Sequence, residues 1–243
     1  MSHSRNVEAF EKLLGICTGY GEQYKPGQPN LRVENLSAII NRARTALSNV
    51  NAAKTNWEDA TNNREVAFKE TNELVSRILA ELRSSGVLPQ TVDDALAMVR
   101  KIKGYSARRV PGVVAKADQS VMPPATMAKR ARGLDHASVI DHFEKLLQTI
   151  SVAPEYQPTA DELKVQTLQD KLAVLRQKNT SVIEADAELG KARRERNIVL
   201  YKGRGSLHST AMAVKQQTKA LFGNRSEAAT AASHVHFRKS KIK

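Results

Sequence analysis

Residues 189–201 read LGKARRERNIVLY, and the chain has carried the same pattern before: 132 positions earlier, residues 57–69 read WEDATNNREVAFK. Ala192 falls over Ala60, Arg196 over Arg64, Val199 over Ala67 and Leu200 over Phe68. The apolar positions and one arginine agree, while the neighbouring charges do not. An echo at a constant offset is the mark of an internal repeat, each copy being one supersecondary unit whose apolar face needs a neighbour.

Working upstream, the register holds without a gap. Leu31, Val33 and Leu36 correspond to Leu163, Val165 and Leu168, and a Tyr-x-Pro stands at both Tyr24/Pro26 and Tyr156/Pro158. One residue out of step, Phe10-Glu11-Lys12-Leu13-Leu14 returns as Phe143-Glu144-Lys145-Leu146-Leu147. Apolar residues at Val7, Phe10, Leu13 and Leu14 predict a short amphipathic leading helix, matched by Val139, Ile140, Phe143, Leu146, Leu147 and Ile150.

The long element of each copy has a heptad seam. In the first copy Val33, Leu36, Ile40, Ala43, Leu47 and Val50 recur every three or four residues. Ala53, Trp57, Ala60, Arg64 and Ala67 continue it after a three-residue step that locally overwinds a coiled coil. Neither Gly nor Pro occurs from Leu31 to Ser85, so one helix of ~80 Å is expected at about 1.5 Å per residue; a break at Asn49 to Asn51 is the competing reading. The second seam runs through Val165, Leu168, Leu172, Leu175, Val182, Ala185, Leu189 and Ala192, with Asp161 as its expected cap. Gly203 and Gly205 interrupt it. A further helix is expected over 207–222, ended by Gly223. Each copy closes with a short helix, at 91–103 with Thr91 as N-cap and at 226–239.

These readings define an all-α chain, an elongated antiparallel helical bundle of two tandem helical repeats with coiled-coil-like heptads. The first repeat covers 1–104, a basic Pro-containing linker 105–137, and the second repeat with its basic tail 138–243. The resemblance is to an uncharacterised family of bacterial two-repeat all-helical proteins of unknown function. It is carried by ICTGYG at 16–21, TVDDA at 91–95, Arg196-Asn197-x-x-Leu200-Tyr201 and the stretch ending at Phe222-Gly223. It spans almost the whole chain and implies a fold class with no assigned activity.

The charge is concentrated. Of a net +13, +8 lies between Arg100 and Arg132, where nine basic residues face only Asp118, and +4 lies in the last six residues. The helical body is nearly neutral. The candidate polyanion contacts are therefore Arg100, Lys101, Lys103, Arg108, Arg109, Lys129, Arg130 and Arg132 in the linker region, with Arg238, Lys239, Lys241 and Lys243 in the tail. The linker's only aromatic is Tyr105, and no helix-turn-helix or other reader motif accompanies it.

Other chemistries find little support. Gly19-Tyr20-Gly21 and Gly203-Arg204-Gly205 lack the strand and the Lys-Ser/Thr of a phosphate loop. His234 and His236 supply two ligands where a metal site needs at least three. Ser206, His208 and Ser209 have no orienting acid or oxyanion turn. Cys17, the one cysteine, excludes an intramolecular disulfide and reads as a small buried apolar group. No metal, cofactor or catalytic residue is assigned, and the chain is read as not an enzyme. No stretch of about 18 apolar residues occurs, and the N-terminus lacks a signal-peptide core, so a cytoplasmic protein without a transmembrane segment is expected.

The remaining candidates are interface residues: Arg64, Arg196, Trp57 and Tyr201. An arginine on or beside an apolar seam, present in both copies, predicts a cross-repeat ion pair or carbonyl contact, for instance with Glu65 or Glu195, or an anion site between the copies. The functional expectation is a non-enzymatic structural or protein-interaction bundle, self-assembling or bound to a protein partner. The alternative is sequence-nonspecific nucleic-acid binding through linker and tail.

Overall fold

The computed structural model describes residues 2–104 and 135–238. Every regular element among them is helical: α1 (Ser2–Gly19), α2 (Val33–Ser84), α3 (Pro89–Ile102), α4 (His136–Ser151), α5 (Val165–Tyr201), α6 (Leu207–Phe222) and α7 (Glu227–His234). Short 3₁₀ turns occupy Gly21–Gln23, Pro29–Leu31 and Asp161–Leu163.

The long helix α2 runs 52 residues and passes through Asn49 to Asn51 unbroken. With no Gly or Pro inside it, the weak propensity of three asparagine-rich positions costs only tenths of a kcal/mol, about 0.5 each, less than an added pair of helix ends would. It stops before Gly86, whose φ of 77° only glycine adopts readily. The break after α5 has the same cause at Gly203 (φ 85°), and Gly223 (φ 89°) closes α6.

Three start or end points depart from expectation. The short helix α3 begins at Pro89, with Leu88 rather than Thr91 as N-cap. Proline has no amide proton to leave unpaired in the first turn and its φ is already helical, so it takes the first position. The Leu88 carbonyl accepts from the Thr91 and Val92 amides. Asp161 opens the 3₁₀ turn and pairs with Lys164 instead of capping α5, which starts four residues later at Val165. The last helix, α7, ends at His234, and residues 235–238 continue without helix. Ser206 and Ser226 do cap: their hydroxyl oxygens accept from the Ser209 and Ala229 amides.

The chain divides into two compact units whose bounds cut across the two repeats expected from the sequence. The described residues of the first unit are 2–58 and 184–238; those of the second are 59–104 and 135–183. Each unit thus takes the front half of one copy and the back half of the other, and α2 and α5 contribute to both. The first core joins Val7, Phe10, Leu13, Leu36, Ile40 and Ala43 to Leu200, Leu207, Ala211, Val214 and Ala232. The second joins Val75, Ile78, Leu82, Ala95 and Val99 to Phe143, Leu146, Ile150, Leu168 and Leu175. Each fully buried leucine or phenylalanine contributes about 1.5–3 kcal/mol relative to exposure.

Within the second unit Arg64 meets Asn179, Glu70 meets Lys171 and Arg77 meets Glu162 in the turn before α5, so residue numbers fall along this segment as they rise along α2. Residues matched by the sequence offset make matching bonds. Tyr24 Oη donates to the Leu31 carbonyl at 3.0 Å, and Tyr156 Oη to the Leu163 carbonyl at 2.9 Å. Arg44 pairs with Glu11 at 2.9 Å, and Arg176 with Glu144 at 2.6 Å.

Candidate functional site

The matched arginines occupy equivalent places in the two units. On α5, Leu189, Ala192 and Leu200 are buried and Arg196 lies on the same side, half-buried. Its Nε and Nη2 both donate to the side-chain oxygen of Asn197, at 3.2 and 2.9 Å. On α2, half-buried Arg64 donates from Nη1 to Asn179 Oδ1 at 3.3 Å, and its Nε is buried without a hydrogen-bond partner. Both arginines therefore bond to side-chain amide oxygens. The neighbouring acids, Glu65 and Glu195, are exposed.

A histidine completes each arrangement. His3 and His136 are equivalent in the offset of the leading helix, 133 residues apart. In the first unit the His3 ring lies 5.6 Å from that of Tyr201, with Nδ1 2.8 Å from the Tyr201 hydroxyl. In the second the His136 ring meets Phe68 edge-on at 4.6 Å. Burial and the nearby arginine charge (Arg196 for His3, Arg64 for His136) hold both imidazoles below their ordinary pKa, against opposing pulls on His136 from Asp135 and Glu65.

Asn6 gives the first unit a feature the second lacks. Its side chain is buried, 1% exposed, where the second copy has Val139. Its Nδ2 donates to the Arg238 carbonyl at 2.8 Å and to Tyr201 Oη at 3.2 Å, and its Oδ1 accepts from the Arg238 amide at 2.9 Å. Tyr201 Oη thus links the Asn6 amide to His3 Nδ1. Phe237 then packs edge-on to Phe10 at 6.5 Å and under Lys215 Nζ at 5.5 Å. The segment 235–238 is held on the unit surface by these contacts.

Trp57 is half-buried in the first unit. Among the expected polyanion contacts, Arg100 and Lys101 are exposed at the end of α3, and Lys103 donates to Ser76 Oγ at 2.5 Å. Arg108, Arg109, Lys129, Arg130, Arg132, Lys239, Lys241 and Lys243 lie outside the described residues. Ser206 and Ser209 are occupied in capping α6 and the turn before it. Among the described residues no cluster of three or more His, Cys, Asp or Glu side chains is placed to hold a metal. No helix among them is long and apolar enough to cross a membrane.

His3, His136 and Asn6 were not singled out by motif. The first two were findable by carrying the Phe10/Phe143 register seven residues further back. Asn6 was not, because its counterpart is a valine. No protein-family model matches this chain, and no curated protein or solved structure matches it either.

Proposed function

We propose that this is a non-enzymatic, cytoplasmic structural or protein-interaction protein: an antiparallel, coiled-coil-like bundle of two repeats that assembles through its long helices. One observation carries the reading. Three polar positions that both copies share hold elements together: Tyr24 and Tyr156 close the entry to the long helices, and Glu11–Arg44 and Glu144–Arg176 tie the leading helices to them. Duplication has kept residues that hold helices together. The bacterial two-repeat family it resembles is consistent with this.

Val66 and Ile198 supply the candidate docking position. They are equivalent in the two copies and are 62% and 55% exposed, each on the solvent side of its helix. The occupant proposed is a second copy of the chain, since both halves present the same residue class at the same place. Sedimentation velocity over a concentration series tests it: wild type should shift toward larger species, and Val66→Ser/Ile198→Ser should not. A concentration-independent monomer for wild type would remove the self-assembly reading.

A second reading, sequence-nonspecific nucleic-acid binding, is supported by the exposed Arg100 and Lys101 at the end of α3 and by Arg238, whose exposed side chain projects from a backbone clamped by Asn6. A gel-shift titration across a salt series tests it. No shift at low salt would sink this reading.

A further inference from the structure

The two copies keep the same arginine but differ in the charge around it. Asp59, Thr61, Asn62 and Glu65 of the first copy are replaced by Lys191, Arg193, Arg194 and Asn197 in the second. Most of these positions face solvent, so packing does not require the exchange. In the second unit Arg64 is flanked by the carboxylate of Glu65. In the first unit Arg196 is bonded to the amide of Asn197 and has the Arg193 guanidinium nearby, with Glu195 preceding it in sequence.

The geometry gathers these groups on one side. At about 100° per residue, Arg193, Tyr201 and Arg194 lie about 60°, 140° and 160° around α5 from Arg196, so they share its solvent side and half-buried Arg196 sits at the margin beside Arg193. Arg194 folds back along the helix, and its Nη1 would stand 3.4 Å from a Cβ placed at Gly190; the first copy has Glu58 there. Beyond Tyr201, the buried Asn6 grips the Arg238 backbone and so adds a fourth arginine. Local acids are accounted for: Glu188 lies 3.8 Å from Lys191, and Glu195 lines the groove on the other side with Asn41 and Arg42.

We propose that this arginine face of the first unit, formed by exposed Arg193, Arg194 and Arg238 with half-buried Arg196 at its margin, binds the phosphate backbone of single-stranded nucleic acid, with half-buried Tyr201 offering a ring edge beside the strand. The inference rests on the nucleic-acid reading above and moves its centre from the end of α3 to α5. Planar guanidinium forks in a row suit repeated phosphates. An anionic membrane is the poorer fit, because the apolar side of α5 (Leu189, Ala192, Leu200) is already committed to the protein core and cannot enter lipid.

The test uses the full chain and a fluorescent oligo-dT, measuring the salt dependence of affinity. The variant Arg193→Thr/Arg194→Asn carries the residues the first copy has at the same positions. Wild type should bind, and the variant should lose a log–log slope of roughly 1.4, about 0.7 for each single-strand phosphate contact removed. Arg32→Gln/Arg225→Gln, the same charge change at exposed sites elsewhere in the unit, should leave the slope within about 0.3 of wild type. Retained helicity and a shielded Cys17 thiol show that each variant is folded. Wild-type binding with an unchanged slope in the α5 variant overturns this proposal alone. So does an equal loss in both variants, or binding to phosphatidylserine vesicles in preference to the oligonucleotide. No binding by wild type at low salt overturns both this proposal and the reading beneath it.

Discussion

Three partly buried histidines give the fold a pH dependence. His3, His136 and His142 all have pKa values held below the ordinary 6.5, burial being the largest cause each time. A lowered value in the folded state means that the unfolded chain binds more protons between the two values. Stability then rises with pH through that window. The contribution is fully present above about pH 6.5 and is lost as pH falls through the unfolded value towards the folded ones. Thermal melts from pH 7.5 down to 5 should show a falling midpoint, and His136→Gln should flatten that decline. A midpoint that rises on acidification would contradict the assignment. Asn6 gives a second prediction at this scale. Removing its amide leaves the Arg238 backbone groups without their protein partner, and Asn6→Ala should cost about 2 kcal/mol in denaturant unfolding. Asn6→Asp keeps the acceptor for the Arg238 amide but loses the donor, and should fall between.

At the scale of elements, what could be read in advance depended on local backbone chemistry. The limits of α6 were legible because Gly205 and Gly223 bracket its apolar spacing, and α2 was legible as one helix because nothing in it breaks one. The start of α3 carries two competing signals, Thr91 as a common cap and Pro89 as a first helical residue, and the proline sets it. The partners of Arg64 and Arg196 were not legible. Spacing shows that an arginine lies on the seam, but it does not show that Arg64 reaches Asn179 on another helix while Arg196 turns to Asn197 on its own. The shared tyrosine bonds should be separable element by element. Tyr24→Phe and Tyr156→Phe should each cost about 1 kcal/mol, the usual net worth of one hydrogen bond. Tyr156, whose burial raises its pKa to about 12, should stay protonated in spectrophotometric titration until well past the range of an exposed tyrosine. Ionisation near pH 10 would show that its hydroxyl is exposed.

At the scale of the whole molecule, periodicity shows which face of a helix is buried but not which copy covers it, and so the exchange of halves could not be read from the sequence. Its consequence is that neither copy contains a complete core. Residues 2–104 hold one wall of the first core, from Val7 to Ala43, and one wall of the second, from Ala67 to Ile102. Residues 135–238 hold both complementary walls. A fragment of about 100 residues with two half-cores leaves Leu36, Ile78 and Leu82 without the side chains that bury them, at about 1.5–3 kcal/mol each. This exceeds the few kcal/mol by which such a chain is usually stable. Separately purified fragments 1–104 and 135–243 should therefore melt without cooperativity, and mixing them in equal amounts should restore a cooperative transition. Leu146→Ala in the second fragment, at a fully buried site, should weaken the reconstituted complex by about 2–5 kcal/mol. In hydrogen exchange of the intact chain, the same substitution should expose residues 67–102, which lie in the other copy, before residues 7–43. Loss of protection confined to residues 136–151 would mean that α4 opens on its own and that the exchanged halves do not form one cooperative core.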